Sequence, residues 1–260
     1  MTPDTPLFIV VAGLFGALIG SFLNVCILRW GAEPKQSVVR PPSHCPKCGV
    51  GLRWYDNVPI VSWLVLRARC RGCGSPISAQ YPLIELATAL LWGGMVWRYG
   101  ISIETLRGAV FGTVLLGIAM TDARAYIIPD EFSLGGLALG VLFALAMGRQ
   151  PLGTALLGAA FGFGLLWLVA IAGEWMFKQE AMGGGDVKMM AMVGAFLGWQ
   201  GTLLTVFLGA LIGSLIFVPL SIAGHKKLVP FGIFLAMGAA ATYLVGPALF
   251  AWYGGYLGRA

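Results

Sequence analysis

Apolar residues gather into eight spans along the 260-residue chain, at about 7–28, 82–98, 106–121, 132–147, 152–173, 187–198, 202–222 and 229–252. A helix needs about 20 apolar residues to cross a hydrocarbon layer of roughly 30 Å. The spans therefore predict an all-α polytopic membrane protein with about eight transmembrane helices. The span at 187–198 is short, and seven crossings with one re-entrant segment is the alternative. Weak breaks after Gly198 and around Gly148–Pro151 predict tight turns. The first span follows MTPDTP, which carries no Lys or Arg, so it reads as a retained helix rather than a secretory signal.

Composition agrees with lipid as the solvent. Hydrophobic residues make up 58% of the chain and charged residues 11%, against about 25% charged in soluble domains. The 38 glycines and nine tryptophans suit close helix approach and interfacial anchoring. The net charge of +6 does not indicate nucleic acid, because the basic residues lie in loops between the spans. With the N-terminus outward, thirteen of the 17 Lys and Arg fall inside, and Arg98, Arg107, Arg149 and Arg259 outside. That asymmetry orients the chain and places its only extended polar stretch, 29–81, in the cytoplasm. The expected organisation is a first transmembrane helix at 1–28, a cytoplasmic loop at 29–81 and a membrane domain at 82–260.

The polar stretch is too short for a large core of its own and needs a staple. Four of the five cysteines supply one: Cys45 and Cys48 in CPKC, Cys70 and Cys73 in CRGC, with twenty-one residues between the pairs. Two C-x2-C turns complete a tetrahedral Zn²⁺ site. A reducing cytoplasm makes two disulfides the weaker reading. A closed four-thiolate site offers no open position, so the zinc is structural. His44 adjoins Cys45, but four thiolates suffice. Cys26, inside the first span, reads as a small buried residue.

Acidic residues number eleven, and ionisable groups near membrane depth are functional candidates by default. Asp122 ends the third span in AMTDARAYIIPDEF, and Asp186 begins the sixth in AMGGGDVKMMAM. The topology puts both at the cytoplasmic level, where they can meet. Two carboxylates sharing a proton can activate water and protonate a carbonyl oxygen. Gly184 and Gly185, before Asp186, allow close backbone approach, and Lys188 biases the local charge. The alternative is that these aspartates cap helix ends or pair with Arg124 and Lys188. Asp130, with Pro129 and Glu131, is a rival explained by capping the fourth span.

Glu85, just inside the second span, reads either as an acid favoured by the helix dipole or as a partner for a substrate amine. Ser21 and Asn24 sit one turn apart on the first span; interhelical hydrogen bonds or a part in methyl transfer would explain them. No G-x-G-x-x-G loop follows a strand, so a Rossmann-like cofactor pocket is absent from the reading. His225, Lys226 and Lys227 read as a basic loop facing anionic lipid.

These residues carry a resemblance. GSFLNV at 20–25, RPPSHCPKC at 40–48, NVPIVSWLVLRARCRGC at 57–73, YPLIEL at 81–86, TDARAYIIPD at 121–130 and GGGDVK at 183–188 occur in one order. The chain resembles the type IV prepilin leader peptidase family, bifunctional membrane enzymes of type IV pilus and type II secretion systems. VPFGIFLAMGA at 229–239 is similar to the family's late PFGP-like segment, with Ile233 in place of the usual proline. The resemblance covers nearly the whole chain. It implies a GxGD-type aspartic endopeptidase, related in motif to presenilin-like enzymes, with Asp122 and Asp186 as the catalytic pair. It implies removal of the basic leader of prepilins and pseudopilins after a glycine, in the bacterial inner membrane with the active site facing the cytoplasm. It further implies N-methylation of the new N-terminus from S-adenosylmethionine, a function tied to the N-terminal part and the cysteine loop. Steric exclusion of larger residues before the cut predicts that alanine there slows cleavage and valine nearly abolishes it. A proton-coupled transporter and a non-enzymatic pilin-binding platform are the competing classes. Whether the chain acts singly or as a homodimer is left open by the sequence.

Overall fold

The computed structural model describes residues 5–179, 182–222 and 230–257, and among them only helices and two isolated bridges occur. The helices are α1 (Thr5–Trp30), α2 (Val61–Val65), α3 (Gln80–Tyr99), α4 (Ile103–Ala125), α5 (Asp130–Met147), α6 (Arg149–Phe177), α7 (Gly184–Ile222) and α8 (Phe231–Leu257), with a 3-10 turn at Trp54–Asn57. Among the described residues six helices are long and apolar enough to cross a membrane: α1, α4, α5, α6, α7 and α8. The chain forms two compact units, 1–113 and 114–260, the division falling within α4.

The expected spans at 187–198 and 202–222 are the two legs of α7. Between them Gly198 takes φ 69° and ψ 178°, a conformation open essentially to glycine alone. The legs are two helices meeting at Gly198, and Gly162 of α6 faces both Met190 of the first and Thr202 of the second, so the break is the tight turn expected there. At Gly148, φ 121° ends α5 and α6 starts at the next residue, as the Gly148–Pro151 break predicts. The basic loop at 225–227 lies outside the described residues.

In the first unit α1 and α3 pack through small residues. A Cβ at Gly20 would lie 2.0 Å from Thr88 Oγ1, and one at Gly16 2.5 Å from the Thr88 carbonyl oxygen. Asn24, fully buried, donates across to the Tyr81 carbonyl at 3.2 Å. That contact answers to the interhelical reading of Asn24. Leu14 and Leu18 of α1 stay exposed.

In the second unit α7 is the central element. Met189, Met190, Met192, Val193 and Phe196 of its first leg are fully buried. Glycines again set the approach: a Cβ at Gly158 of α6 would lie 2.2 Å from the Gly194 oxygen, and one at Gly194 2.0 Å from the Gly158 oxygen. Gly136 and Gly140 of α5 face Met192 and Ala195 in the same way. On the second leg, Thr205 donates to Thr242 of α8 at 3.2 Å. This packing brings the end of α4 and the starts of α5, α7 and α8 together.

Candidate functional site

The 29–81 loop contains two copies of one turn. The Cys45 amide donates to Val50 O at 2.9 Å and the Gly49 amide to Cys45 O at 2.9 Å; Cys70 and Gly74 repeat this with Ser75 O at 2.8 Å and Cys70 O at 2.9 Å. Gly49 and Gly74 both hold φ 70°, the left-handed value each turn requires. The two turns bring the four sulfur atoms within 4.8 Å of one another. Cys45 and Cys73 are 3.9 Å apart, as are Cys48 and Cys70. Zn–S bonds of about 2.3 Å in a tetrahedron set sulfur separations of about 3.8 Å, so the cluster fits a zinc ion. The amides of Cys48 and Lys47 pull the Cys45 thiol down to about 6, and the Ser75 hydroxyl and amide lower Cys73. Against the Val50 amide, which lowers it, Cys48 in the same cluster is pushed the other way, up to about 11, by desolvation and by the neighbouring sulfurs of Cys45, Cys73 and Cys70. His44 gives its Nδ1 hydrogen to Pro42 O at 2.9 Å and is not among the clustered ligands.

Two further contacts order the loop. Arg71 donates to Asp56 at 2.7 Å and holds that carboxyl below its ordinary range. Glu85, on α3, is buried, and its Oε2 accepts the Ile60 amide at 2.7 Å, with Ser21 as a second side-chain partner. Ile60 holds φ 62° and ψ −51°, a strained value for a β-branched residue. Glu85 therefore clamps a strained turn of the loop to α3. Sequence reasoning gave this acid no protein partner, because its donor is a backbone amide twenty-five residues away.

In the second unit, Asp122 lies in the last turn of α4, 5% exposed. The chain leaves the helix at Tyr126, whose φ is 57° and whose amide closes on Asp122 O at 2.9 Å. Asp186 lies in the first turn of α7, within electrostatic range of Asp122. The two candidate aspartates are thus brought to one site. Asp122 Oδ2 accepts the Ile233 amide, from the start of α8, at 3.0 Å. Asp186 Oδ1 is buried with no hydrogen-bond partner among the described residues. A helix-capping carboxylate has its oxygen on a backbone N–H, and this oxygen has none.

The neighbouring candidates fall into place around the pair. Lys188 binds Asp130 at 2.7 Å. It ties the start of α7 to the start of α5, and Asp130 is engaged in that pair rather than in capping. Gly185 lies against Ile128, where an added Cβ would come within 2.9 Å of the Ile128 Cβ. Gly184 is exposed with open space beside it. Gly232 was missed by sequence reasoning. A Cβ there would sit 2.8 Å from Asp122 Oδ2 and 2.8 Å from Ile128 Cδ1. The sequence signal for it is the PFGI segment, Pro230 to Ile233.

Fold and site define a polytopic helical membrane protein with a paired carboxylate at its helix ends and a four-thiol loop. Residues 14–99 match the family described as Bacterial Peptidase A24 N-terminal domain, and residues 109–218 match the Type IV leader peptidase family. The chain belongs to the type IV leader peptidase family. It is 35% identical over 272 residues to a prepilin leader peptidase/N-methyltransferase of Aeromonas hydrophila, covering 95% of this chain and 94% of that protein. A protein of the same name from Myxococcus xanthus is 42% identical over 226 residues, covering 85% of this chain and 67% of that one. Another, from Pseudomonas aeruginosa, is 37% identical over 267 residues, 92% and 91% of the two chains. No solved structure matches the chain.

Proposed function

We propose that this chain removes the basic leader of prepilins and pseudopilins after a glycine and then methylates the new N-terminus. Asp122 and Asp186 form the peptidase dyad. The observation that carries this reading is the pair's shared setting, with one carboxylate anchored by the Ile233 amide and the other bearing a buried oxygen that has no partner among the described residues. Such a pair can share one proton, so that one member activates water while the other protonates the scissile carbonyl. Gly184 and Gly185 give an extended peptide access beside Asp186, and Lys188 fixes the start of α7 against α5.

The substrate's apolar helix lies in the bilayer against the enzyme's spans, which leaves the scissile bond at the interface. The family resemblance implies the bacterial inner membrane, and the Lys/Arg asymmetry supports a site toward the cytoplasm. The thiols of Cys45, Cys48, Cys70 and Cys73 would hold a structural zinc ion that orders the 29–81 loop. Glu85 anchors that loop to α3 and is the candidate polar partner for the substrate amine. S-adenosylmethionine supplies the methyl group for the amine freed by cleavage. The working organisation is the first helix at 1–28, the loop at 29–81 and the peptidase membrane domain at 82–260.

The test is cleavage of detergent-solubilised prepilin by the purified chain with S-adenosylmethionine, read by mass spectrometry. The native chain should remove the leader and add a methyl mass, whereas Asp122→Asn and Asp186→Asn should each leave the prepilin intact. Cleavage that survives both substitutions removes these aspartates from the reaction.

A further inference from the structure

The 29–81 loop leaves an apolar edge uncovered. Val61, Leu64 and Val65 have the i, i+3, i+4 spacing that shares one helix face, and on α2 they are 55, 61 and 72% exposed. The opposite side of α2 is used within the loop, where Trp63 Nε1 donates to the Ile77 carbonyl at 3.2 Å. Val58, just before α2, and Trp54, in the 3-10 turn that contacts it, are exposed as well. A group of large apolar side chains left open in this way marks an interaction surface.

The start of α2 is held at membrane depth. α1 is apolar over the 25 residues from Pro6 to Trp30, about 37 Å of helix against about 30 Å of hydrocarbon. Its end carries Arg29 and Trp30, residue types that suit the interface. Glu85 of α3 faces Gly20 of α1, since a Cβ at Gly20 would lie 2.8 Å from the Glu85 Cα. Gly20 precedes Trp30 by ten residues, or about 15 Å of helix. Glu85 Oε2 in turn accepts the Ile60 amide at 2.7 Å, and α2 starts at the next residue. A carboxylate side chain covers only part of the distance to Trp30. The start of α2 therefore lies below the end of α1, beside the spanning helices.

Charge selects what covers the apolar edge. Arg67 and Arg69 follow it, are exposed, and have no ionic partner among the described residues. From 57 to 69 there is no acid, and the 29–81 loop carries eight Lys and Arg against two acids, Glu33 and Asp56. Anionic headgroups are attracted by such a segment. The basic leader of a prepilin, or the same loop of a second copy, is repelled.

We propose that residues 58–69 dock into the surface of the membrane that the chain spans. Val61, Leu64 and Val65 of α2 lie among the lipid chains, and Arg67 and Arg69 bind the phosphate headgroups of anionic phospholipid. Lipid thereby covers a face for which the loop has no core of its own.

The test is photo-crosslinking of the full chain in vesicles, with benzoylphenylalanine in place of Leu64 or, as the inward-facing control, in place of Trp63. In phosphatidylglycerol vesicles position 64 should label lipid several-fold more than position 63. Arg67→Glu combined with Arg69→Glu should lower that labelling about fivefold or more, as expected for losing headgroup attraction at a basic residue. Phosphatidylcholine in place of phosphatidylglycerol should lower it in the same direction. Equal labelling at the two positions, or from the two lipids, overturns the proposal. Labelling of added prepilin or of a second copy from position 64, in place of lipid, overturns it as well.

Discussion

At Gly232 there is no room for even a methyl group, because the space belongs to the Asp122 carboxylate and the Ile128 side chain. Alanine there must push one of them away. Ile128 precedes Pro129 and the start of α5, and its Cβ already faces Gly185, so the carboxylate is the freer to move. Gly232→Ala should therefore lower prepilin cleavage by about tenfold or more, since misplacement by about 1 Å can lose two orders of magnitude. Its melting midpoint should fall far less, because the clash sits at the site's edge. Native-like cleavage by this variant would show that Asp122 does not depend on the approach of α8. The aspartates themselves were legible from their scarcity and their places at span ends. The amide that holds Asp122 was not, since backbone donors have no residue signature and Ile233 is 111 residues away in sequence. Lys188 was legible as a charge beside Asp186, but its partner Asp130 is fixed only by the meeting of α5 and α7.

Helix contacts in this chain are set by glycines rather than by interlocking large side chains. Lipid provides no hydrophobic drive between helices, so close backbone approach and dispersion must supply the association. The α6–α7 pair is the tightest instance, with Gly158 and Gly194 each facing the other's backbone oxygen. Backbone oxygens cannot rotate aside as side chains do. Gly194→Leu should lower the thermal midpoint in detergent by several degrees, on the order of 1–3 kcal/mol for overpacking, and should reduce cleavage by displacing the first turn of α7. Gly153→Leu, a position with open space, should leave the midpoint near native; equal effects at the two sites would contradict this account of α6–α7 packing. At Gly198 the constraint is conformational. Alanine must adopt φ 69° there, so Gly198→Ala should lower the midpoint too, by about 1–3 kcal/mol of backbone strain. If it raises the midpoint, the break is not needed for the fold. Hydropathy located both legs of α7, because each is an apolar run. The weak break after Gly198 also marked the turn between them, but not the glycine-only backbone conformation that makes it.

At the scale of the whole chain, the two units are stabilised by different means. In 114–260 the first leg of α7 buries its methionines, Val193 and Phe196 among its neighbours. The loop has no comparable core: from 31 to 79 Cys45 is the sole buried residue among those described. Its ends are tethered, by Arg29 to the Ser37 and Pro41 carbonyls at 2.7 and 2.6 Å and by Glu85 to Ile60, and its middle is closed by the paired thiol turns, by Asp56–Arg71 and by Trp63 donating to the Ile77 carbonyl at 3.2 Å. The C-x2-C spacing made this closure legible, whereas the tethers, built on backbone carbonyls and amides, were not. A loop held in this way should depend on its metal, since metal-binding free energy in such a site is folding free energy. The purified chain should contain about one zinc per molecule, and Cys70→Ser should lose it. Proteolysis within 29–81 should then quicken by at least tenfold, while the helical circular-dichroism signal and its midpoint change little because they arise mainly from the membrane helices. If the zinc-free loop resists protease as well as the native one, the order in 29–81 comes from the tethers and Asp56–Arg71 instead. A fall in the helical midpoint would show that the loop also supports the packing of the membrane helices.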